Sequence, residues 1–243
     1  HPAIMIQYRA MKYLVVSDLH IGFEEKLKSS GVQITISTKN MLDELLKIVD
    51  YSNPDYLIIL GDVKSSIERI NFSESKYVPD FLDKISNRVK TIIIPGNHDG
   101  NLTYLVPQHV KLHNDSIMRI GENILTHGHA TIPKDANSSK RIIIGHLHPT
   151  YNQRDSPVSG SEVWTILRGN GSSFFKEVDK DDLTELIIIP AFNRELSVTG
   201  FSTFRNKDIS PILRRFRPHI CEAFIITLNG EIIGDLNSLK YVI

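Results

Sequence analysis

The chain has very little cysteine, and this limits the settings in which it can work. Cys221 is the single cysteine among 243 residues, so no intramolecular disulfide bond can form. This composition indicates a reducing, intracellular setting, and we expect a cytoplasmic protein. The sequence also lacks any apolar run close to the roughly 20 residues of a membrane-spanning helix. The first residues lack the apolar segment of a secretory signal, so we expect no membrane partner.

An excess of charge of either sign is also missing. Lys plus Arg and Asp plus Glu number 28 each, which gives a formal net charge of zero. This excludes a chain-wide attraction to nucleic acid or to a membrane surface, although a local basic groove stays compatible with it. Hydrophobic residues make up 41% of the chain, which is enough for a substantial core. We expect residues 11–243 to form one domain, with residues 1–10 as an extension outside the main fold or as an added edge strand.

Short apolar runs, each bounded by turn residues, predict strands along the whole chain. They are almost continuously apolar, as is typical of strands that are covered on both faces. The runs are residues 12–18, 55–62, 91–96, 123–128, 141–146, 163–169 and 186–192. Helical patterns over residues 38–49 and 79–89 separate the first three, which predicts a βαβαβ opening and an α/β fold with a parallel sheet. Asn229 and Gly230 are the predicted turn of a late hairpin.

Polar side chains that bind metals collect where five of these predicted strands end. The motifs are D-x-H, G-D, G-N-H-D, H-G-H and G-H-x-H, beginning at residues 18, 61, 96, 127 and 145. The carboxyl ends of the strands form the binding edge of an α/β sheet, so we expect these groups to meet. In D-x-H and H-x-H, residues i and i+2 are expected to point to the same side. One such motif alone more often caps a strand, but the ordered set of five predicts a metal site.

The kinds of side chain narrow the choice of metal. The motifs contain no thiolate, which excludes a structural site of the zinc-finger type. Carboxylate, imidazole and amide oxygen together suit Mn²⁺, Fe²⁺ or Zn²⁺. There are too many of these groups for one ion, whereas two divalent ions that share one carboxylate would use them all. We expect two ions, with Mn²⁺ as the leading choice.

The ordered set from Asp18 to His148 resembles the calcineurin-like metallophosphoesterase superfamily. This resemblance implies a four-layer sandwich of two mixed β-sheets flanked by helices, and hydrolysis of phosphate esters. The softer motifs GDVK, GNHDGN, THGH, GHLHP and PAFN are similar to archaeal phosphoesterases related to the Mre11/SbcD nuclease subunits. They are also similar to bacterial phosphoesterases encoded beside DNA ligase and helicase genes. The chain after the phosphoesterase core is too short for the DNA-capping domain of Mre11-type nucleases, so we do not expect their double-strand-break role.

The resemblance implies a role for each motif position. One metal ion would be held by Asp18, His20, Asp62 and His148, and the other by Asp62, Asn97, His127 and His146. His98 would serve as the general acid for the leaving oxygen or as a clamp on phosphate. Asp99 would orient a histidine. His129 would support a ligand or face the substrate.

Three further residues are predicted to contact substrate, each with a structural alternative. Lys64 could touch a phosphate or be a solvated surface lysine. Arg168 could line the substrate groove or belong to a structural loop. Asn193 could reach the site or turn the chain. The segment FSTFRNKD at residues 201–208 could stack on and clamp a single nucleic-acid strand, or be a loop anchored to the core.

Three functions are compatible with these motifs. The leading expectation is a phosphodiesterase that acts as a nuclease on single-stranded or flapped DNA or RNA. A small-molecule phosphodiesterase or phosphomonoesterase would use the same centre, and the neutral net charge favours it. A scaffold with an inactive site is the third, and the complete ligand set argues against it. The expected partner is a phosphodiester substrate, and formation of a homo-oligomer is left open.

Overall fold

The computed structural model describes residues 1–29, 31, 37–133, 139–175, 183–198 and 210–242. The strands in these ranges are β1 (Ile4–Tyr8), β2 (Met11–Val16), β3 (Tyr56–Leu60), β4 (Lys90–Ile94), β5 (Lys111–Leu112), β6 (Ile117–Ile120), β7 (Asn123–Thr126), β8 (Arg141–Ile144), β9 (Val163–Asn170), β10 (Leu183–Ile188), β11 (Ile220–Thr227) and β12 (Ile232–Gly234). The α-helices are α1 (Phe23–Ser29), α2 (Ser37–Ser52), α3 (Phe72–Ser86), α4 (Glu195–Val198) and α5 (Pro211–Phe216). Among the helices in these ranges, none combines the length and the apolar character that a membrane crossing needs.

The strands form two mixed sheets. The first has the order β1-β2-β3-β4-β5, and the second has the order β12-β11-β9-β10-β8-β7-β6. In the first sheet β2 to β5 run parallel, and β1 adds an antiparallel edge strand beside β2. In the second sheet β7, β8 and β10 run parallel, and β9 is antiparallel to β10. Residues 4–8 therefore form an added edge strand of the first sheet and not an extension outside the fold.

Alternating side chains of the buried strands enter two different cores. Ile58 and Leu60 lie in the core between the two sheets, whereas Leu57 and Ile59 pack with the apolar faces of α2 and α3. The triplet in β8 behaves in the same way. Its central residue, Ile143, lies between the sheets, and the residues on either side of it pack with Phe216 of α5. The layers therefore run helix, sheet, sheet, helix, which confirms the predicted four-layer fold and explains why these strands are apolar on both faces.

Helix α3 begins seven residues before the predicted start at Pro79. Asn71 is its N-cap: the Asn71 side chain accepts a hydrogen bond from Glu74 N at 2.8 Å, and the Glu74 carboxylate accepts one from Asn71 N at 2.9 Å. This reciprocal pair is a capping box. Pro79 lies inside the helix. The buried side chains of Val78 and Phe81 on either side of it pack the helix against the first sheet. The prediction was wrong because the capping signal lies a full two turns ahead of the proline.

We predict that Glu74→Ala lowers the free energy of unfolding by about 2–3 kcal/mol, because two backbone N–H groups lose a charged acceptor. Glu74 is fully buried and accepts hydrogen bonds from the backbone of Ser66 and of Asn71. Urea denaturation followed by circular dichroism measures the change. Lys76→Ala, on the exposed side of the same helix, is the matched control and should change the free energy by about 0.5 kcal/mol or less. Equal losses in both variants would contradict this account of the cap.

Candidate metal centre

The five motifs meet where the parallel strands of the two sheets end. The first three follow β2, β3 and β4 of the first sheet, and the last two follow β7 and β8 of the second. Backbone hydrogen bonds join neighbouring loops, from Asp18 N to Gly61 O at 3.2 Å and from Gly145 N to His127 O at 3.0 Å. The structure therefore brings the predicted ligands of both sheets together in one place. These ligands are Asp18, His20, Asp62, Asn97, His127, His146 and His148.

The ligand atoms form two sets, and one carboxylate lies between them. Within each set the atoms lie within 4.8 Å of one another, and the sets are Asp18, His20 and His148 in one and Asp62, His127 and His146 in the other. A third group with the same spacing, His20, Asp62 and His98, overlaps both sets. Asp62 Oδ2 is 3.2 Å from His127 Nε2 and 3.5 Å from His20 Nε2. One oxygen atom thus faces a histidine of each set, which is the arrangement that a shared ligand requires.

The backbone of these motifs is turned into the left-handed region. Five of the nine non-glycine residues with positive φ in the described ranges are predicted ligands: Asp18 (60°), His20 (42°), Asp62 (50°), His146 (67°) and His148 (42°). Each such residue costs about 1–3 kcal/mol and persists only where its surroundings enforce it, as is common at functional sites. We had expected an extended chain in which residues i and i+2 share a side. Instead, both ends of D-x-H and of H-x-H converge through left-handed turns.

Two glycines let these loops approach one another without a side chain between them. A Cβ atom on Gly96 would overlap the Asp62 carboxylate. A Cβ atom on Gly145 would overlap the side chains of Ser17 and Asp18. Glycine is therefore required at both positions by close packing, because any larger residue would displace a predicted ligand.

Asp18 is held as a buried carboxylate. Its Oδ2 accepts hydrogen bonds from Ser17 Oγ at 2.5 Å and from the His146 backbone N at 3.0 Å, and its Oδ1 lies 3.0 Å from His148 Nε2. Burial alone would raise the pKa of Asp18, but the imidazoles of His148 and His127 lower it to about 2. Ser17 was not predicted from the sequence. Its place directly before D-x-H is the only signal, and a serine at a strand end is also ordinary.

His127 has its tautomer fixed by a main-chain carbonyl. Leu60 O can only accept, so His127 Nδ1, at 2.7 Å, carries the hydrogen of that bond. His127 Nε2 then points to Asp62 Oδ2 and to Asn97 Oδ1, which is 3.2 Å away. Burial opposes the charged form, yet the hydrogen bond and the negative charge of Asp62 raise the pKa of His127 to about 9. Without a cation, His127 Nε2 therefore holds a proton at the position where a ligand lone pair is needed.

His20 shows the opposite behaviour and indicates that cations fit this site. Burial lowers the pKa of His20 to about 3, so its imidazole is neutral at physiological pH. His20 Nε2 and Asp18 Oδ1 are both buried, and within the described ranges neither makes a contact with the geometry of a hydrogen bond, although Asp18 Oδ1 lies 3.0 Å from His148 Nε2. Leaving such atoms unsatisfied costs about 1–3 kcal/mol each, and a divalent cation would satisfy both. Carboxylate, imidazole and amide donors together fit Mn²⁺, Fe²⁺ or Zn²⁺.

His98 lies beside the Asp62 carboxylate, and the loop that follows Asp62 holds its side chain. His98 Nδ1 donates to Ser65 O at 2.5 Å, and His98 N donates to Asp62 Oδ1 at 2.9 Å. His98 Nε2 is 3.9 Å from Asp62 Oδ2. By distance alone this nitrogen could ligate a cation or could face a substrate, so the predicted role as a proton donor remains a proposal.

The resemblance implies that Asp99 orients a histidine, but the hydrogen bonds of its carboxylate go to main-chain N–H groups instead. Its Oδ1 accepts hydrogen bonds from Val63 N at 2.9 Å and Lys64 N at 3.3 Å, and its Oδ2 accepts one from Gly96 N at 2.8 Å. The carboxylate therefore joins the loop after β3 to the loop after β4. Burial and the charge of Asp62 raise the pKa of Asp99 to about 6. Asp99 positions Asp62 through the backbone and is not carried forward as a catalytic group.

Three of the predicted substrate residues lie near the centre, and two of them hold the loops around it through hydrogen bonds. Lys64 is fully buried, and its ammonium donates to Ser66 O, so it is not the solvated surface lysine that we had considered. Asn193 Nδ2 donates to Leu19 O at 3.0 Å, which anchors the D-x-H loop. The ring of His129 lies 5.4 Å from that of His127, at the edge of the cluster, and its pKa is lowered by burial and by His127.

Arg168 is not brought to the cluster. It lies near the end of β9, which is antiparallel to β10, so it pairs in register with Glu185 near the start of β10. The ligand loop follows the opposite end of the parallel neighbour β8. Its guanidinium forms ion pairs with Glu185 at 2.8 Å and with Glu222 at 3.4 Å. The expectation that Arg168 lines the substrate groove is therefore corrected. The segment FSTFRNKD at residues 201–208 lies outside the described residues.

A comparison with known families identifies the fold. The family model described as calcineurin-like phosphoesterase matches residues 11–184. The chain belongs to this family. Membership makes it a phosphoesterase by family and implies a centre of two divalent metal ions, in agreement with the two sets of ligands.

Two solved structures are similar to this chain. One is the nuclease MPE of Pseudomonas putida, with 18% identity, a TM-score of 0.48, and coverage of 79% of this chain and 86% of the other. The second is Yfce, a phosphoesterase from E. coli, with 16% identity, a TM-score of 0.42, and coverage of 93% of this chain and 98% of the other.

We predict that binding of Mn²⁺ releases about one proton per chain at pH 7.5, because His127 Nε2 must lose its proton to become a ligand. The pKa of His127 is raised to about 9, so this nitrogen is protonated throughout the neutral range. Below that pKa, the affinity should rise about tenfold for each unit of increasing pH.

Calorimetry in buffers with different ionisation enthalpies measures the proton release directly. The variant His127→Asn should release no proton, and His109→Gln, on the exposed surface, should behave like the wild type. Proton release that persists in His127→Asn would contradict the assignment to this residue.

Proposed function

We propose that this phosphoesterase hydrolyses phosphodiester bonds with two divalent cations held on either side of Asp62. The observation that carries the proposal is the position of Asp62 Oδ2, which lies 3.2 Å from His127 Nε2 and 3.5 Å from His20 Nε2. A second support is His20 Nε2, a buried ligand atom that has no hydrogen-bond partner within the described ranges. The complete set of carboxylate and imidazole groups argues against an inactive scaffold.

The residues present assign ligands to two sites. Asp18, His20 and His148 would hold one cation, and Asn97, His127 and His146 would hold the other, with Asp62 shared between them. When bound, the cations supply Lewis-acid chemistry that activates water and neutralises charge on the phosphate. Asp18 and Asp62 remain ionised for this task, because the imidazoles around them hold the pKa of each below its usual range.

His98 is the residue of the cluster best placed to give a proton to the leaving oxygen. Its side chain is 22% exposed, compared with 5% for His20 and 0% for His127, so it can meet a substrate. The Ser65 carbonyl accepts from Nδ1 and holds the ring, which leaves Nε2 on the side of Asp62. A protonated His98 would donate from Nε2 to the departing alkoxide and become neutral.

Two classes of natural substrate are compatible with this chemistry, a nucleic acid and a small phosphodiester. The motifs favour a nuclease acting on single-stranded or flapped DNA or RNA, and the neutral net charge favours a small phosphodiester. Turnover of bis-p-nitrophenyl phosphate by metal-free protein reloaded with Mn²⁺ tests the shared chemistry. Absence of turnover with Mn²⁺, Fe²⁺ and Zn²⁺ alike would contradict the proposal. Labelled oligonucleotides then separate the two classes, and Mn²⁺ itself is tested by comparing the three metals.

We predict that His98→Ala keeps two metal ions per chain but lowers kcat by about 10²–10⁴ on diesters with alkyl leaving groups. The loss should be much smaller on bis-p-nitrophenyl phosphate, because nitrophenolate leaves without needing a proton. Metal content by mass spectrometry and steady-state kinetics on both substrates provide the measurement. His109→Ala is the matched control, since His109 is exposed and hydrogen-bonds to Ser86 at the end of α3, not to any group of the metal centre. An equal loss on both kinds of substrate, or loss of metal, would assign His98 to metal binding instead.

A further inference from the structure

A cavity of about 660 Å³ opens on the exposed side of His98. Its walls are the loop at residues 65–71, which follows Asp62, together with Gly22 and Glu25. Of the residues that line it, His98 is the one that also belongs to the metal centre. If His98 protonates the leaving oxygen, a cavity against this residue lies where the leaving group would be.

We propose that this cavity binds the leaving alcohol, and that this alcohol is uncharged and rich in hydroxyl groups, as a nucleoside is. The inference rests on the proposed function, since it assigns the leaving side of the same reaction. The volume falls within the range of about 300–1,000 Å³ that is usual for small-molecule sites, so it can accommodate a base and a sugar.

The cavity wall is held in place by hydrogen bonds. Ser66 N donates to Glu74 Oε1 at 2.5 Å, and Asn71 Nδ2 donates to Ser66 Oγ at 3.1 Å. The buried ammonium of Lys64 donates to Ser66 O, so the loop is tied to the strand side as well as to α3. A loop that is fixed in this way presents a defined surface, which a specific binding site needs.

The side chains of the wall select against a charged leaving group. Ile67 and Ile70 provide apolar surface, and the charged residues beside them are Glu25, Glu68 and Arg69. Glu25 Oε1 accepts hydrogen bonds from Ser73 N and Ser73 Oγ, so Glu68 is the carboxylate on the exposed part of the wall. Glu68 and Arg69 are exposed, and neither forms an ion pair within the described ranges. Apart from His98, which gives its proton to the leaving oxygen, two carboxylates and one guanidinium give the cavity lining a formal charge of minus one. Carboxylates accept hydrogen bonds from hydroxyl groups and repel a second phosphate, so the chemistry fits a nucleoside better than a nucleotide.

This charge pattern also defines where a nucleic acid could be cut. A leaving group inside a strand carries the phosphate of the next linkage, whereas a terminal nucleoside carries none. The cavity therefore favours small diesters or the terminal linkage of a strand over an internal linkage.

The test compares a dinucleoside monophosphate with its two singly phosphorylated derivatives, one phosphorylated at each end. In the Mn²⁺-loaded wild type, phosphate on the leaving nucleoside should lower kcat/KM, and phosphate on the other nucleoside should have less effect. Glu68→Lys should raise the relative kcat/KM of the derivative with the charged leaving group by about fivefold at low ionic strength. This gain should fade in about 0.5 M salt, because Glu68 is exposed and its charge is screened.

Glu231→Lys is the matched control, since it makes the same charge change on the exposed hairpin that joins β11 and β12. It should leave the ratio of kcat/KM values as in the wild type. Bis-p-nitrophenyl phosphate reports the proposed function separately. Turnover of that substrate, together with a ratio that Glu68→Lys does not change, would overturn the cavity assignment alone. Turnover of bis-p-nitrophenyl phosphate without any cleavage of the dinucleoside monophosphate would overturn it as well.

Discussion

The structure around the centre depends on one interaction, the contact of the buried Asp62 carboxylate with the imidazoles on both of its sides. Burial would raise the pKa of this group, but His127, His20 and His98 hold it well below the usual range of an aspartate. The charge of Asp62 in turn keeps His127 protonated when no cation is present. The metal-free centre is thus stabilised by a proton at the position that a cation would take. Exchange of that proton for a cation links metal binding to pH.

The fold supplies the rigidity that keeps this carboxylate in position. The loops on which the ligands lie begin at strands whose two faces are both buried, so the strand ends cannot shift independently. Asp99 accepts two hydrogen bonds from the loop after β3 and a third within its own loop after β4. These constraints maintain the left-handed backbone of the ligand residues, at a cost of about 1–3 kcal/mol each.

Much of this arrangement could be predicted from the sequence, because the motifs follow apolar runs that are strands. The apolar runs predicted the parallel strands and the meeting of the motifs, whereas the ligand roles and the sandwich came from the family resemblance that the motifs carry. Family membership confirms the fold and the reaction class. The positions that were missed depend on strand direction or on main-chain groups, which residue types do not show. Arg168 lies at the end of the sheet's strands away from the metal centre, because β9 is antiparallel to β10. Leu60 O and Ser65 O orient His127 and His98. Because every residue has a main-chain carbonyl, the sequence does not show which of them will do so. Lys64 is buried, and its ammonium donates to another such carbonyl, that of Ser66.

The most direct test of the account is the position of the cations themselves. Crystals of the protein soaked with Mn²⁺ should show anomalous scattering at the manganese absorption edge. We expect two peaks per chain, with the Asp62 carboxylate in contact with both and with His20 and His127 on opposite sides of it. A single peak, or two peaks of which only one touches Asp62, would contradict the claim that this carboxylate is shared.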